Sequence, residues 1–350
     1  MTILFVLLAI LLLGLLIVAH ELGHFLSARA QGIAVKEFSV GFGPKLLQRK
    51  SKKSETLFSL RGIPLGGYCA FYDEDADTLD KDDPRRFGAA RVWKRMIVVL
   101  AGSIMNIILA FLLAIVLNLA YGAVPAQPYI ADVVADSPAA QAGVQAGDVL
   151  ISVGGWYLEE GEAGGLSEVV DQLDDGQAAS LWVMRDGQGM CINVVPEYNE
   201  TEGRSLIGVS IAAYARPNLF QAVEGAWDSC VYASTVIAES LGQLIFHGEG
   251  AQDVSGPVGV VQVIAEQTQS GGLYMYLSLA ILISINLGII NLLPIPGLDG
   301  SRFLFLVAEA VRRKPINKRV EGAIHAIGFA LMFGLLILFT FRDIQRIIGG

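Results

Sequence analysis

Leu15-Leu16-Ile17-Val18-Ala19-His20-Glu21-Leu22-Gly23-His24 closes a near-continuous apolar run. Thr2 to Ala19 carry no charge and almost no polar group, so the run reads as a membrane span continuing as helix through the HELGH pentapeptide. On a helix His20 and His24 project from the same face, four residues apart. Two imidazoles so placed can share one Zn²⁺, with Glu21 beside them to handle a water proton. Each of these ionisable groups costs roughly 2.5–3.5 kcal/mol in a bilayer where charged. Groups that costly are kept in a membrane for a partner or a task.

Composition agrees with a membrane protein. Of 350 residues 53% are hydrophobic and only 17% charged, and the mean hydropathy is +0.53. This excludes a pair of ordinary soluble domains. Cys69, Cys191 and Cys230 form no CxxC pair, so neither a disulfide framework nor a cysteine metal site is expected. The N-terminus lacks a basic leader, and HELGH stands where a signal-peptide cleavage site would be, so the first span is expected to stay.

Four stretches are long enough to span: Thr2–Ala19, Met96–Tyr121, Leu273–Leu293 and about Ile324–Phe341. The fold expected is a membrane α-helical one, with four transmembrane helices, a membrane-associated β-hairpin region and one inserted extracytoplasmic PDZ-like domain. Basic residues set the orientation. Residues 31–95 hold 13 of the 25 Lys and Arg, residues 302–319 hold six, and residues 122–270 hold three against 20 Asp and Glu. By the positive-inside rule the first two segments are cytoplasmic. Both termini and 122–270 are then outside, in a multi-pass plasma-membrane protein.

In chain order, residues 1–30 form the first span with HELGH. Residues 31–95 are a cytoplasmic or membrane-associated β region. Its alternating, glycine-bearing Gln31–Pro44 stretch and its Phe58–Ala70 stretch, with Gly62-Ile63-Pro64-Leu65-Gly66-Gly67-Tyr68, read as hairpins, either dipping into the membrane beside the histidines or simply soluble. An exposed strand edge there would suit an extended peptide. The acidic Asp73–Asp83 stretch reads as a solvated loop. Residues 96–121 are the second span, opening with Ala101-Gly102-Ser103-Ile104-Met105-Asn106. Asn106 needs a hydrogen-bond partner in the bilayer, and either a structural or a substrate-binding role fits it.

Residues 127–197 are expected to fold as a PDZ-like domain. Ser137-Pro138-Ala139-Ala140-Gln141-Ala142-Gly143-Val144-Gln145-Ala146-Gly147-Asp148, a short helix and turn between two strands, closely resembles PDZ domains. A helical period over Leu166–Leu173, a strand and turn over Ala179–Gly187 and a strand over Met190–Val195 complete it. Such a domain binds a peptide or protein tail by strand addition, or filters substrates by size. Residues 198–270 are an extracytoplasmic amphipathic helical linker. Within it Asn218–Phe246 lies at the membrane surface or, alternatively, forms a fifth span. Ser255-Gly256-Pro257-Val258-Gly259-Val260 turns the chain back.

Residues 271–300 hold the third span and Asn291-Leu292-Leu293-Pro294-Ile295-Pro296-Gly297-Leu298-Asp299-Gly300. Two prolines and two glycines break the helix there. His20 lies ~27 Å along the first span, and Asp299 follows a span of ~31 Å running the same way. Similar depth makes Asp299 the natural third ligand of a His₂-carboxylate site, and it can also cap the next helix. Residues 301–323 are a cytoplasmic loop and helix, and 324–342 the fourth span. His325 has no partner at ligand spacing and is expected to pack or sit at the interface.

HELGH, GIPLGGY, AGSIMN, one PDZ-like domain, SGPVGV and NLLPIPGLDG occur in this order. The chain thereby resembles the site-2 protease family of intramembrane zinc metalloproteases, above all the bacterial single-PDZ branch that regulates sigma factors. The resemblance implies zinc on His20, His24 and Asp299, with Glu21 as general base. It also implies that Asn291 holds substrate or an oxyanion and that Gly66 and Gly67 touch the substrate strand. Ser103 departs from the proline usual after Ala-Gly.

The expected activity is hydrolysis of a peptide bond within a transmembrane segment, as in regulated intramembrane proteolysis. The partners are a single-span membrane protein substrate and the lipid bilayer, and no nucleic acid. Anti-sigma factors, remnant signal peptides and pheromone precursors all fit as substrates. A membrane zinc protease acting on non-transmembrane substrates is the first rival, but such enzymes typically take glutamate as third ligand. A PDZ scaffold without proteolysis leaves Glu21 unexplained. A zinc transporter needs a second polar face along the spans, which the sequence lacks.

Overall fold

The computed structural model describes residues 3–52, 54–72, 79–80, 83–122, 124–159, 166, 169–170, 177–199, 204–248 and 255–349. Most of the acidic Asp73–Asp83 stretch and of Leu166–Leu173 lies outside them. The chain divides into two compact units, Met1–Leu117 with Glu224–Gly350, and Asn118–Val223.

In the first unit, α1 (Ile3–Ala30) carries HELGH. It ends where Gly32 takes φ +76°. The N–H of Ile33 reaches back to the Ala28 carbonyl and that of Gly32 to Arg29. This left-handed glycine cap satisfies the last carbonyls of the helix. Among the described residues, four helices are long and apolar enough to cross a membrane: α1, α2 (Val92–Tyr121), α5 (Pro257–Leu292) and, over Arg319–Arg346, α7 (Lys318–Gly349). The protein is thus a helical membrane protein.

Between α1 and α2, β1 (Val35–Lys50) and β2 (Leu57–Phe71) form one bent sheet. Residues 37–40 pair on both sides: Ser39 faces Tyr68 and Ser59, and Val40 faces Gly67 and Leu60. Gly41 and Gly43 take positive φ where β1 bends. A polar network braces the sheet. Arg61 donates to Glu37 (3.0 Å), to the Tyr68 hydroxyl (2.6 Å) and to Ser39 (3.1 Å), and Ser59 donates to Glu37 (2.6 Å). Burial would raise the Glu37 carboxyl, but the bonds from Ser59 and Arg61 outweigh it and hold Glu37 below its ordinary range. Phe25 of α1 packs on Phe38 and Phe58, which fixes the sheet to the HELGH helix.

α4 (Leu219–His247) follows the second unit. Its Ala226 and Cys230 are buried with Ala110, Ala114, Ile281 and Ile285, so small residues bring it close to mid-span positions of α2 and α5. α5 breaks at Gly272 (φ 59°, ψ −146°). Residues on both sides of the break pack against Ala9, Leu12 and Leu16 of α1. α6 (Asp299–Arg312) follows the irregular 293–298 turn. It is tied to the start of α2 by a two-pronged ion pair, Arg95 to Glu309, at 2.5 and 3.2 Å.

The second unit is built on a sheet in the order β10-β3-β4-β6-β7, with β5 on β4: β3 (Val124–Val133), β4 (Val149–Val153), β5 (Trp156–Tyr157), β6 (Ala179–Arg185), β7 (Gln188–Val194) and β10 (Val209–Ala215). β8 (Glu197–Asn199) and β9 (Arg204–Leu206) form a separate hairpin. Strand alternation buries Leu181 and Val183, and a register shift between Leu150 and Ser152 turns Val153, three residues on, into the same core as Leu150. The sheet reaches beyond 127–197, because β10 gives β3 the backbone partners an edge strand would lack. Local chemistry explains the rest. Ser137 caps α3 (Pro138–Gln141) by accepting from the Ala140 N–H, and Pro138 opens the helix. Asp148, 1% exposed, is held by Arg185 through two bonds of 2.6 Å.

Candidate metal centre

Three elements of the first unit converge on one point. α1 brings His20 and His24, and the start of α6 brings Asp299. His20 Nε2 lies 3.0 Å from Asp299 Oδ2, His24 Nε2 lies 3.1 Å from it, and the two Nε2 atoms are 3.2 Å apart. His20 and His24 are 7% and 8% exposed. The ligand atoms of a tetrahedral zinc site, each ~2.0–2.1 Å from the ion, lie ~3.3 Å from one another. The triangle has nearly that edge, and its donor set of two imidazoles and a carboxylate suits zinc. Asp299 is the first residue of α6 and caps nothing. The cap position is Leu298, and no side chain caps there.

α2 completes the cradle. The Nδ1–H of His24 donates to the Val98 carbonyl, 2.8 Å away, which leaves Nε2 free as an acceptor. A Cβ on Gly102 would come within 2.5 Å of His24 Nε2 and 2.8 Å of His20 Cε1, so glycine alone leaves room for the imidazoles. Gly23 of HELGH packs just as tightly on the Ala101 carbonyl. These roles of Gly102 and Val98 were missed in the sequence, although Gly102 stands in the AGSIMN element. His20 Nδ1 is buried without a partner among the described residues.

The 293–298 turn aims Asp299. Gly297 takes φ +104°. A Cβ on Gly300 would overlap the carbonyls of Leu292 and Leu293. The two glycines of PGLDG thus serve different needs, a left-handed backbone and a close approach.

Glu21 is partly buried and takes a backbone hydrogen bond from Cys69 of β2. A Cβ on Gly67 would lie 3.7 Å from Glu21 Cγ, so β2 runs directly beside this carboxylate. Gly66, with φ +118°, packs against the Phe42 ring. Asn106 is fully buried, its side-chain amide unpartnered among the described residues, while its carbonyl accepts from Ser284 at 2.8 Å. Asn291 is half-buried in the last turn of α5. The structure brings His20, His24, Asp299, Glu21 and Gly67 together, and among the described residues no hydrogen bond or ion pair joins Asn291 or Asn106 to them.

The arrangement can bind a divalent metal and place a carboxylate beside it. Comparisons with known proteins agree. The family model for peptidase family M50 matches residues 8–335. The regulator of sigma-W protease RasP of Bacillus subtilis is 29% identical, over 97% of this chain and 97% of its own. The zinc metalloprotease RasP of Oceanobacillus iheyensis is 30% identical over 97% and 98%. That of Geobacillus kaustophilus is 28% identical over 96% and 97%. With a zinc-shaped donor triangle among membrane-spanning helices and a match over nearly its whole length, the chain belongs to peptidase family M50 and is an intramembrane zinc metalloprotease.

Proposed function

We propose that His20, His24 and Asp299 hold the zinc and that Glu21 is the general base of peptide-bond hydrolysis within a substrate's transmembrane segment. The observation that carries this is the donor triangle of 3.0–3.2 Å edges, with Glu21 directly after His20 on the same helix. Zinc held there supplies a Lewis acid that acidifies water and polarises a carbonyl. Glu21 takes the proton of the attacking water and returns it to the leaving amine nitrogen. The Val98 carbonyl keeps the His24 ring in the tautomer that presents Nε2. The Arg95–Glu309 pair holds α6, and with it Asp299, against α2.

A helical substrate has its carbonyls already bonded, so it must unwind to be cut. In the described residues Gly67–Ala70 pair with other strands on one side only. This arm beside Glu21 suits an unwound substrate strand, with Gly66 and Gly67 keeping the surface flat. Asn291 is proposed to hold the substrate or the oxyanion. Asn106, enclosed as it is, would reach a substrate only if α2 and α5 part.

The charge segregation supports a topology with both termini and residues 122–270 outside and the zinc site towards the cytoplasm. Residues 127–197 are proposed to be PDZ-like on their Ser-Pro-Ala, Ala-Gly and Gly-Asp elements, either taking a peptide tail or restricting substrate size. The RasP relative's name, regulator of sigma-W protease, suggests a membrane-bound regulator of a sigma factor as substrate class. The test is zinc content and cleavage of a transmembrane substrate in detergent, for the parent and for Asp299→Ala. One zinc per parent chain, lost with activity in the variant, supports the reading. Zinc and activity retained without Asp299 overturn it.

A further inference from the structure

We infer that His325 of α7 is a positioning residue for the turn that aims Asp299. The inference rests on the proposed role of Asp299 as third ligand. The Gly297 N–H donates to His325 Nδ1 at 3.1 Å. Gly297 lies two residues before Asp299, at the left-handed point of the turn (φ +104°). Within the turn the N–H groups of Ile295 and Leu298 are satisfied locally, by Leu293 and Ile295. That of Gly297 is satisfied by another helix.

One turn along α7, Gly328 lies so close to the turn that a Cβ would overlap the Pro296 carbonyl. His325 and Gly328 thus grip successive residues of the turn, one by a hydrogen bond and one by close packing. The imidazole is held in turn. Phe305 of α6 meets it edge-on, ring centres 5.5 Å apart. Its side chain is 13% exposed, and Nε2 makes no hydrogen bond among the described residues, with Glu321 Oε1 standing 4.0 Å away. Because Nδ1 accepts, the ring proton sits on Nε2, the side facing Glu321.

Without the imidazole acceptor, the Gly297 N–H would be left unbonded in a low-dielectric site, and the turn would rearrange to satisfy it. Asp299 would carry that movement to its carboxylate. Groups that orient metal ligands typically change metal affinity by about 10–100-fold when lost. The rest of α7 is largely exposed and apolar, as a lipid-facing helix is, so this contact is where α7 touches the chemistry.

The experiment measures Zn²⁺ affinity by chelator competition and the absorption spectrum of the Co²⁺-substituted protein, on full-length chains in detergent. The variants are His325→Leu, His325→Gln, His325→Asn and Asp299→Ala, with melting midpoints as a folding control. An Asn side chain places an oxygen where Nδ1 stands, and a Gln side chain carries it past that point. Expected are about 10–100-fold weaker zinc binding and an altered Co²⁺ spectrum in the Leu and Gln variants, with the Asn variant close to parent. Parent-like affinity and spectrum in the Gln variant overturn the inference, as does an Asn variant as weak as Gln. Should the Leu variant fail to fold, the Gln and Asn pair decides. Asp299→Ala separates the two readings. Zinc kept there removes the ligand assignment and this inference with it. Zinc lost there but kept in His325→Gln removes only the inference.

Discussion

The His24 ring donates its Nδ1–H to the Val98 carbonyl, 2.8 Å away on α2. The bond selects one tautomer and one ring orientation, so α2 acts on the metal site without contributing a ligand. Gly102, one helical turn further along α2, makes room for what Val98 orients. Gly102→Ala would set a methyl 2.5 Å from His24 Nε2. The expected result is zinc affinity lowered by at least about 10-fold, with the four spans still inserted. Metal titration of the purified variant checks it, and parent-like affinity would show that the histidines have another way to turn.

Glu21 contributes no atom to the donor triangle, so its removal separates binding from chemistry. Glu21→Gln keeps the size and replaces the base by an amide. Cleavage should fall by about 10²–10⁴-fold, with zinc content unchanged. Zinc analysis and turnover on the same preparation decide. Normal turnover would remove Glu21 from the proton path.

Asp343 explains an element whose use was hidden in the sequence. Its carboxylate, 6% exposed, accepts from the N–H groups of Gly259 (2.8 Å) and Gly256 (3.3 Å) in the first turn of α5. A Cβ at Gly256 or Gly259 would lie 2.7 or 2.9 Å from that carboxylate, which accounts for both glycines of SGPVGV. Asp343→Ala should cost about 1–2 kcal/mol, as loss of a buried helix cap does. In a chain of this size that lowers the melting midpoint by about 1–2 °C per kcal/mol. Asp343→Asn, which keeps one acceptor, should fall between. A midpoint equal to the parent's in the Ala variant would mean that α5 finds its cap elsewhere.

Much of the site was legible because its signals are local. HELGH fixes two ligand candidates by helical spacing, and the prolines and glycines of NLLPIPGLDG announce a broken backbone around Asp299. Equal depth along two parallel spans then joined stretches far apart in sequence. What stayed hidden depends on partners that no local pattern names. His325 read as a packing residue because its partner is a backbone N–H. Asp343 sits in an ordinary helical period, and its partners lie 84 and 87 positions away. β10 is a short strand with no turn signal linking it to β3, so only pairing reveals that it joins the sheet of the second unit. The double pairing of residues 37–40 escaped for the same reason: alternation shows a strand, and says nothing of how many neighbours it has.

The Asn118–Val223 unit carries its own acid-sensitive bond. Arg185 holds Asp148 with two bonds of 2.6 Å, and the Gln145 N–H adds a third of 2.9 Å. The guanidinium bond, against an opposing push from burial, keeps the Asp148 carboxyl below its ordinary value. A carboxyl lowered in the folded state gives stability that is fully present above the unfolded value of about 3.9 and is lost as pH falls through the folded one. Hydrogen exchange within 118–223 should therefore report constant protection from pH 7 to about 5, after correction for intrinsic rates, and falling protection below about 4. Arg185→Leu would strand a buried carboxylate and cost about 3 kcal/mol at pH 7. Protonation relieves that cost, so the gap between variant and parent should narrow as pH falls. A gap constant across the whole range would assign the loss to the packing of the Arg185 stem, and the ion pair would have no part in it.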